Sequence, residues 1–272
     1  MSNDGSDASR AGAVTLAHRD LGGEGRPLLV VLHGLLGSSR NWITAGRELA
    51  DRFHVIALDL RNHGDSPHTA DMRFDDMVAD VVAWLDTRGE ERVRLMGHSL
   101  GGKVAMRLAC RVPSRVERLF VLDIAPRAYP KGNPVLEAMV RVDPASFNSR
   151  RDVDRALAES IPDAPTRSFV LTNLAKDRDG GLTWRCGLDG LYANIDSMRD
   201  SPLGASERYT GPTIFIVGEH SAYFSDEDRS VVREHFPAAR IETLPGAGHN
   251  VHFDAREAFV ETVFEFDASD EA

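Results

Sequence analysis

Hydrophobic and polar positions in the first half of the chain alternate between two periods. Runs of apolar residues such as Leu28–Leu32 predict buried strands, and segments such as Phe74–Thr87 repeat apolar residues at helical spacing. This alternation is typical of a mostly parallel sheet flanked by helices. The predicted strands cover residues 14–18, 28–32, 54–59, 93–96, 118–123, 213–217 and 240–244, and the predicted helices cover residues 42–51, 74–87, 100–111, 226–235 and 255–264.

The alternation stops at Pro126 and resumes after Thr210. A structureless loop of that length inside a compact domain is implausible, and helical patterns occur at 134–142, 152–161, 165–175 and 188–198. We therefore predict an α/β fold with a core formed by residues 13–125 and 211–272. A helical cap, 126–210, is predicted to be inserted after the sixth core strand, and residues 1–12 are interpreted as a disordered leader.

Composition narrows the class of protein. A chain of 272 residues can bury one substantial core, and its net charge of −10 argues against a general nucleic-acid binder. No run approaches the ~18 apolar residues that span a membrane. Two distant cysteines, Cys110 and Cys186, suggest a reducing compartment, and no Cys/His spacing suits zinc. We expect a cytoplasmic monomer or small homo-oligomer without cofactor or metal.

The most informative motif is Gly97-His98-Ser99-Leu100-Gly101, a G-x-S-x-G pattern between a predicted strand and a predicted helix. This is the setting of a nucleophile elbow, in which the glycines let strand and helix approach closely at a strained serine. Ser99 is therefore the candidate nucleophile. The alternative interpretation is a glycine-rich helix start that only packs against a strand.

A serine nucleophile needs a base, and His249 is the best candidate among ten histidines. It follows the glycines of Pro245-Gly246-Ala247-Gly248, between the last predicted strand and the last predicted helix. His252 is the rival, and we expect it to be structural, anchoring the same loop.

The acid that orients the base has more than one candidate. The loop after the strand at 213–217 reads Gly218-Glu219-His220-Ser221, where many α/β-hydrolases carry aspartate at the position of Ser221. Glu219 or Asp226 could serve from this loop. Asp123, at the carboxyl edge of another predicted strand, lies on the same rim as Ser99 and is favoured, with Glu219 second.

The oxyanion donors are predicted to be the backbone amides of Leu100 and Leu35, because the His33-Gly34 pair lets the chain turn toward the nucleophile. The polar segment 59–67 is rich in turn formers. A structural loop is favoured there over a catalytic role for His63 or Asp65.

These motifs together resemble the α/β-hydrolase superfamily, and more narrowly the small YbfF-type bacterial esterases and their mitochondrial relatives. The matching segments are H-G-L-L-G-S from His33, D-L-R-N-H-G-D-S-P from Asp59, G-H-S-L-G-G-K from Gly97, D-I-A-P from Asp123 and A-G-H-N-V-H from Ala247. The resemblance implies that the acid is the aspartate of D-I-A-P, and that the activity is esterase or thioesterase without cofactor.

The predicted function is hydrolysis of carboxylic esters or thioesters of short to medium acyl groups. Ser99, His249 and Asp123 form the predicted triad, a small acyl ester is the predicted partner, and an acyl-enzyme is the intermediate. C–C bond hydrolases, lyases and cofactor-free haloperoxidases share this layout, so they stay open as alternatives. A non-catalytic ligand-binding protein is the third interpretation.

Overall fold

A seven-stranded sheet runs through the centre of the computed structural model, which describes residues 12–269. The strands of the described chain are β1 (His18–Asp20), β2 (Leu28–Leu32), β3 (His54–Leu58), β4 (Val93–His98), β5 (Val116–Leu122), β6 (Leu174–Lys176), β7 (Leu182–Trp184), β8 (Thr213–Gly218) and β9 (Ala239–Leu244). The sheet order is β1-β3-β2-β4-β5-β8-β9, and every pair is parallel except β1 with β3.

Helices cover both faces of this sheet. They are α1 (Ile43–Leu49), α2 (Phe74–Thr87), α3 (Leu100–Arg111), α4 (Pro134–Val140), α5 (Arg150–Leu157), α6 (Ala164–Val170), α7 (Leu188–Arg199), α8 (Asp228–His235), α9 (Val251–Asp254) and α10 (Arg256–Ala268). Side chains of β2 alternate between the faces: Val30 and Leu32 belong to the apolar core that includes α2 and α3, whereas Leu29 and Val31 belong to the one that includes α1 and α10. Both faces of the sheet are therefore buried, which explains the uninterrupted apolar runs of its central strands. The predicted α/β fold class is confirmed.

The chain leaves the sheet between β5 and β8. This insertion carries α4 to α7 and a two-stranded antiparallel hairpin, β6–β7, and it returns at Thr213, whose strand pairs directly with β5. The prediction of a purely helical insertion was wrong at the hairpin: the helix predicted over 165–175 ends as α6 at Val170, and β6 begins at Leu174.

Two further details differ from the prediction. The first strand was predicted at 14–18, but β1 covers His18–Asp20, because main-chain pairing with β3 begins only at His18. The strand before the insertion is the fifth of the described chain rather than the sixth, since only the short β1 precedes β2. The predicted leader, 1–12, lies outside the described residues except for Gly12. Across residues 12–269 no helix is long and apolar enough to cross a bilayer.

Candidate active site

Ser99 lies at the sharp turn between β4 and α3. Its φ of 51° and ψ of −114° put a non-glycine residue in a strained backbone conformation. The turn is held from both sides, because the Ser99 amide donates to Leu122 O at 3.0 Å and the Lys103 amide donates to Ser99 O at 3.0 Å. The strain fixes the hydroxyl at the carboxyl end of the sheet.

Neighbouring glycines make this turn possible. A Cβ on Gly97 would lie 2.2 Å from the carbonyl oxygen of Gly101, and a Cβ on Gly101 would lie 2.5 Å from Leu32 O. Neither backbone can move without displacing β2 or β4. The G-x-S-x-G pattern is therefore required by close backbone approach.

His249 is oriented by Asp123. Its Nδ1 lies 2.6 Å from Asp123 Oδ2, so Nδ1–H donates to the carboxylate and Nε2 is left to accept a proton. The Asp123 side chain is fully buried, whereas that of His249 is 27% exposed. His249 and Ser99 line the same cavity. The structure thus brings the predicted nucleophile, base and acid to one edge of the sheet.

Asp123 has a full set of hydrogen-bond donors. Besides His249 Nδ1, its Oδ1 accepts from the Gly218 amide at 2.8 Å, and its Oδ2 accepts from the Ser221 hydroxyl. Asp123 follows β5 with a φ of 51°, which is unusual outside glycine. These three donors hold the carboxylate in place beside the ring of His249.

The alternative acids lie elsewhere. Glu219 accepts from the Gly246 amide at 2.8 Å, and its side chain is half exposed. The Asp226 side chain is almost fully exposed and pairs with Arg229 at 3.0 Å. The carboxylate that bonds the ring of His249 is that of Asp123.

The loop that carries Leu35 runs beside the nucleophile. A Cβ on Gly34 would lie 3.2 Å from Ser99 Cβ, and the loop closes through a bond from the Gly37 amide to Gly34 O at 2.9 Å. Leu100 is the first residue of α3, where amides have no acceptor one turn earlier in the helix. Both predicted oxyanion residues line the cavity next to Ser99.

His33 holds this loop in place. Its Nε2 accepts from the Leu60 amide at 3.0 Å, and its Nδ1–H donates to Gly34 O at 2.8 Å. Burial lowers the pKa of His33 to about 4, so the imidazole is neutral, as this pair of bonds requires. Asp59 adds a second anchor, because Oδ1 accepts from the Ser39 amide at 2.6 Å.

The rest of the polar segment 59–67 has a structural role. The His63 side chain is buried, and its Nδ1–H donates to Arg61 O at 2.9 Å. Asp65 pairs with Arg185 of the insertion at 3.0 Å. Neither residue lines the cavity of Ser99, so the segment supports the site through its bonds to His33 and Ser39.

Aromatic rings hold the His249 loop, and no sequence pattern predicted these contacts. Tyr223 stacks on the His249 ring with centroids 3.9 Å apart, and His98 Nε2–H donates to His249 O at 2.9 Å. His252 stacks on Trp42 at 4.3 Å, as expected for an anchor of the loop, and burial lowers its pKa to about 3. Tyr223 lies 26 positions before His249, so no local pattern links the two.

A cavity of about 710 Å³ opens above Ser99. Its walls are mostly apolar and come from both the core and the insertion. Leu35, Ile124 and Phe253 belong to core segments, whereas Phe169, Ile195 and Met198 belong to the insertion. Such a cavity suits an acyl group. Among residues 12–269 no cluster of three or more His, Cys, Asp or Glu side chains is placed to hold a metal ion.

Comparison with known proteins places these features in context. Residues 27–256 match the family model described as alpha/beta hydrolase fold. The sn-1-specific diacylglycerol lipase ABHD11 of Mus musculus is 38% identical over 250 residues, covering 88% of this chain and 80% of that protein. Esterase YbfF of Escherichia coli is 29% identical, covering 86% and 91%. A solved marine microorganism esterase superposes with a TM-score of 0.90 at 34% identity, covering 93% of this chain and 100% of that one.

Proposed function

Because the chain belongs to the alpha/beta hydrolase fold family and is an ester hydrolase within it, we propose that it acts through a Ser99–His249–Asp123 triad and an acyl-enzyme. The observation that carries this proposal is the 2.6 Å contact between His249 Nδ1 and Asp123 Oδ2, which leaves His249 Nε2 available at the cavity of Ser99. A proton acceptor, an orienting carboxylate and a strained hydroxyl are the parts that acyl transfer requires.

The reaction begins when His249 Nε2 takes the hydroxyl proton and Ser99 Oγ attacks the acyl carbonyl. The backbone amides of Leu35 and Leu100 bind the oxyanion, and Asp123 stays ionised and stabilises the imidazolium. His249 then protonates the leaving alcohol or thiol. Water, deprotonated by the same histidine, releases the acid and restores Ser99.

The acyl group occupies the apolar cavity in this proposal. Residues 126–210 act as its cap, since Phe169, Ile195 and Met198 come from that segment. The cavity volume of about 710 Å³ suits short to medium acyl groups. The mouse relative is named for diacylglycerol, so a neutral lipid ester is a second substrate worth testing.

The test is hydrolysis of p-nitrophenyl acetate, butyrate and octanoate, with 1,2-dioctanoylglycerol in parallel. Ser99→Ala is expected to lower kcat by on the order of 10⁴-fold or more. Asp123→Asn is expected to lower kcat by on the order of 10²–10⁴-fold, because the amide favours the wrong imidazole tautomer.

Glu219→Gln is the matched control, since it alters a carboxylate of the neighbouring loop that contacts only the Gly246 amide and His220. Its kcat should stay near that of the wild type. Equal losses in Glu219→Gln and Asp123→Asn would contradict the assignment of the acid. Full activity in Ser99→Ala, or no labelling of Ser99 by a fluorophosphonate, would overturn the triad.

A further inference from the structure

Helix α7 forms one wall of the cavity and is attached to the core at both ends. Ile195 and Met198 face the cavity from this helix, and both are buried. At the helix start, the Gly187 amide donates to Asn62 O at 2.9 Å. A Cβ on Gly187 would lie 2.3 Å from Asn62 Oδ1, so the contact is close. The beginning of the wall is thus fixed against the loop after β3.

Lys103 fixes the other end. Its Nζ donates to the carbonyl oxygens of Met198 at 3.3 Å, Arg199 at 3.2 Å and Asp200 at 2.7 Å. The last carbonyls of a helix have no partner within the helix and carry the negative end of its dipole. An ammonium group with three donors matches three such acceptors.

Lys103 lies on the helix that begins directly after Ser99. It lies in the first turn of α3, and its own amide donates to Ser99 O at 3.0 Å. The side chain is therefore a direct connection from the nucleophile elbow to the wall of the cavity.

Placing a lysine here is costly. The residue is 3% exposed, and burial, followed by the charge of Arg199, lowers its pKa to about 7. The Asp200 carboxylate, which also bonds Lys131, partly opposes this lowering of the pKa, and the Tyr129 ring lies 4.7 Å from Nζ. A hydrophobic residue would avoid this cost, but it could not bond the three carbonyl oxygens at the end of α7.

We infer that Lys103 is a positioning residue that sets the spacing between Ser99 and the α7 wall, and thereby the preference for longer acyl chains. The inference rests on the proposed esterase function. In this proposal a short acyl group such as acetate stays near Ser99. The longer octanoyl chain extends along the cavity, so its binding depends on where Ile195 and Met198 lie.

The experiment compares Lys103→Met with Lys131→Met. Lys131 is the matched control because it also bonds the end of this segment, through Asp196 O at 2.7 Å and the Asp200 carboxylate, but from an exposed position. In Lys103→Met we expect the KM for p-nitrophenyl octanoate to rise about tenfold, equivalent to about 1.4 kcal/mol, with kcat little changed. The acetate kcat/KM should fall much less. Lys131→Met should leave the ratio of kcat/KM for octanoate to kcat/KM for acetate at the wild-type value.

Hydrogen exchange of amides in 188–200 gives a readout that needs no activity. Exchange in the last turn of α7 should accelerate in Lys103→Met and stay at the wild-type rate in Lys131→Met. Inactivity of the wild type would defeat the proposed function, whereas unchanged exchange would defeat only the role of Lys103. Equal losses of kcat/KM for octanoate and acetate in Lys103→Met would also overturn the inference, because they would indicate general damage to the active site.

Lys103→Arg serves if the methionine variant does not fold. A planar guanidinium keeps the charge but cannot converge on three carbonyls as an ammonium does. A drop in the octanoate-to-acetate ratio smaller than tenfold, with kcat retained, is expected. A wild-type ratio would contradict the inference.

Discussion

The Ser221 hydroxyl donates to Asp123 Oδ2, the same oxygen that accepts the hydrogen bond from His249 Nδ1–H. Ser221 stands where many members of this fold place their acid. In the proposed triad the carboxylate comes instead from the end of β5, and Ser221 hydrogen-bonds it. Two loops from neighbouring strands, β5 and β8, together hold one charge against His249.

Ser221→Ala removes one of the donors to that charge. Because Gly218 and His249 still bind Asp123, we expect only a moderate loss, with kcat falling about three- to tenfold, in line with ~1 kcal/mol for one hydrogen bond. Steady-state kinetics on p-nitrophenyl butyrate measure it. Ser225→Ala is the control, since that hydroxyl binds the carboxylate of Asp228 in the same loop at 3.1 Å. Equal effects of the two variants would argue against a specific role for Ser221.

Acid should destabilise the protein through its buried histidines. Burial lowers the pKa of His33 to about 4, and of His63 and His252 to about 3, from an ordinary 6.5. Between these values the unfolded chain binds more protons than the folded one. Their contribution to the free energy of unfolding is therefore complete above pH 6.5 and declines as the pH falls toward 4, by at most about 1.4 kcal/mol per histidine per pH unit.

Urea unfolding between pH 7.5 and 4.5 tests this slope. His63→Asn should reduce it, because an amide can replace the Nδ1 donor to Arg61 O without titrating. His220→Gln is the control, since the His220 side chain is 68% exposed. A free energy of unfolding that stays constant from pH 6.5 to 4.5 would contradict the prediction.

Gly101→Ala should disturb both stability and turnover. The added Cβ would lie 2.5 Å from Leu32 O and 2.6 Å from His33 O, so α3 must move away from β2 and from the oxyanion loop. We expect a loss of about 1–3 kcal/mol in the free energy of unfolding, with a fall in kcat in the fraction that remains folded. Gly204→Ala meets its nearest atom at 3.5 Å and is the control. A fully active and stable Gly101→Ala would contradict this prediction, because it would show that the turn can accommodate a methyl group at this position.

The buried pair Arg61–Asp80 should be costly to break. Arg61 binds both carboxylate oxygens, at 2.6 and 2.7 Å, and burial raises the pKa of Asp80 even so. Arg61→Met leaves that carboxylate unpaired in the interior, and we expect about 3–5 kcal/mol of destabilisation by urea unfolding. Arg229→Met, which breaks a surface pair with Asp226, should cost under about 1 kcal/mol. Similar costs for both would refute the expected difference.

Local patterns were sufficient for the core of the fold. The runs at β2, β3 and β5 are buried on both faces, so their composition alone identified them. Ser99 could be proposed as the nucleophile because the strained turn demands glycines at fixed spacing. The resemblance to the α/β-hydrolases is confirmed by the family match over 27–256.

Contacts between distant segments were beyond such patterns. The β6–β7 hairpin has three residues in each strand, too few to show a period, and Leu174 continued the spacing of the helix before it. Tyr223 and Lys103 act on groups that are remote in sequence, namely His249 and the end of α7. No local pattern in the sequence links Tyr223 to His249 or Lys103 to α7, so neither contact could be predicted.

The attachment of α7 at Gly187 and at its last carbonyls has a bearing on protein engineering. Both contacts on the insertion side are main-chain groups, whereas the core supplies Asn62 and the Lys103 side chain. A graft of another wall segment would have to keep the glycine at its start and free carbonyls at its end. It would also need a side chain that replaces Asn194, which donates to Ala70 O at 2.6 Å. Substrate range could then be exchanged between hydrolases as a module, while the reacting groups stay where they are.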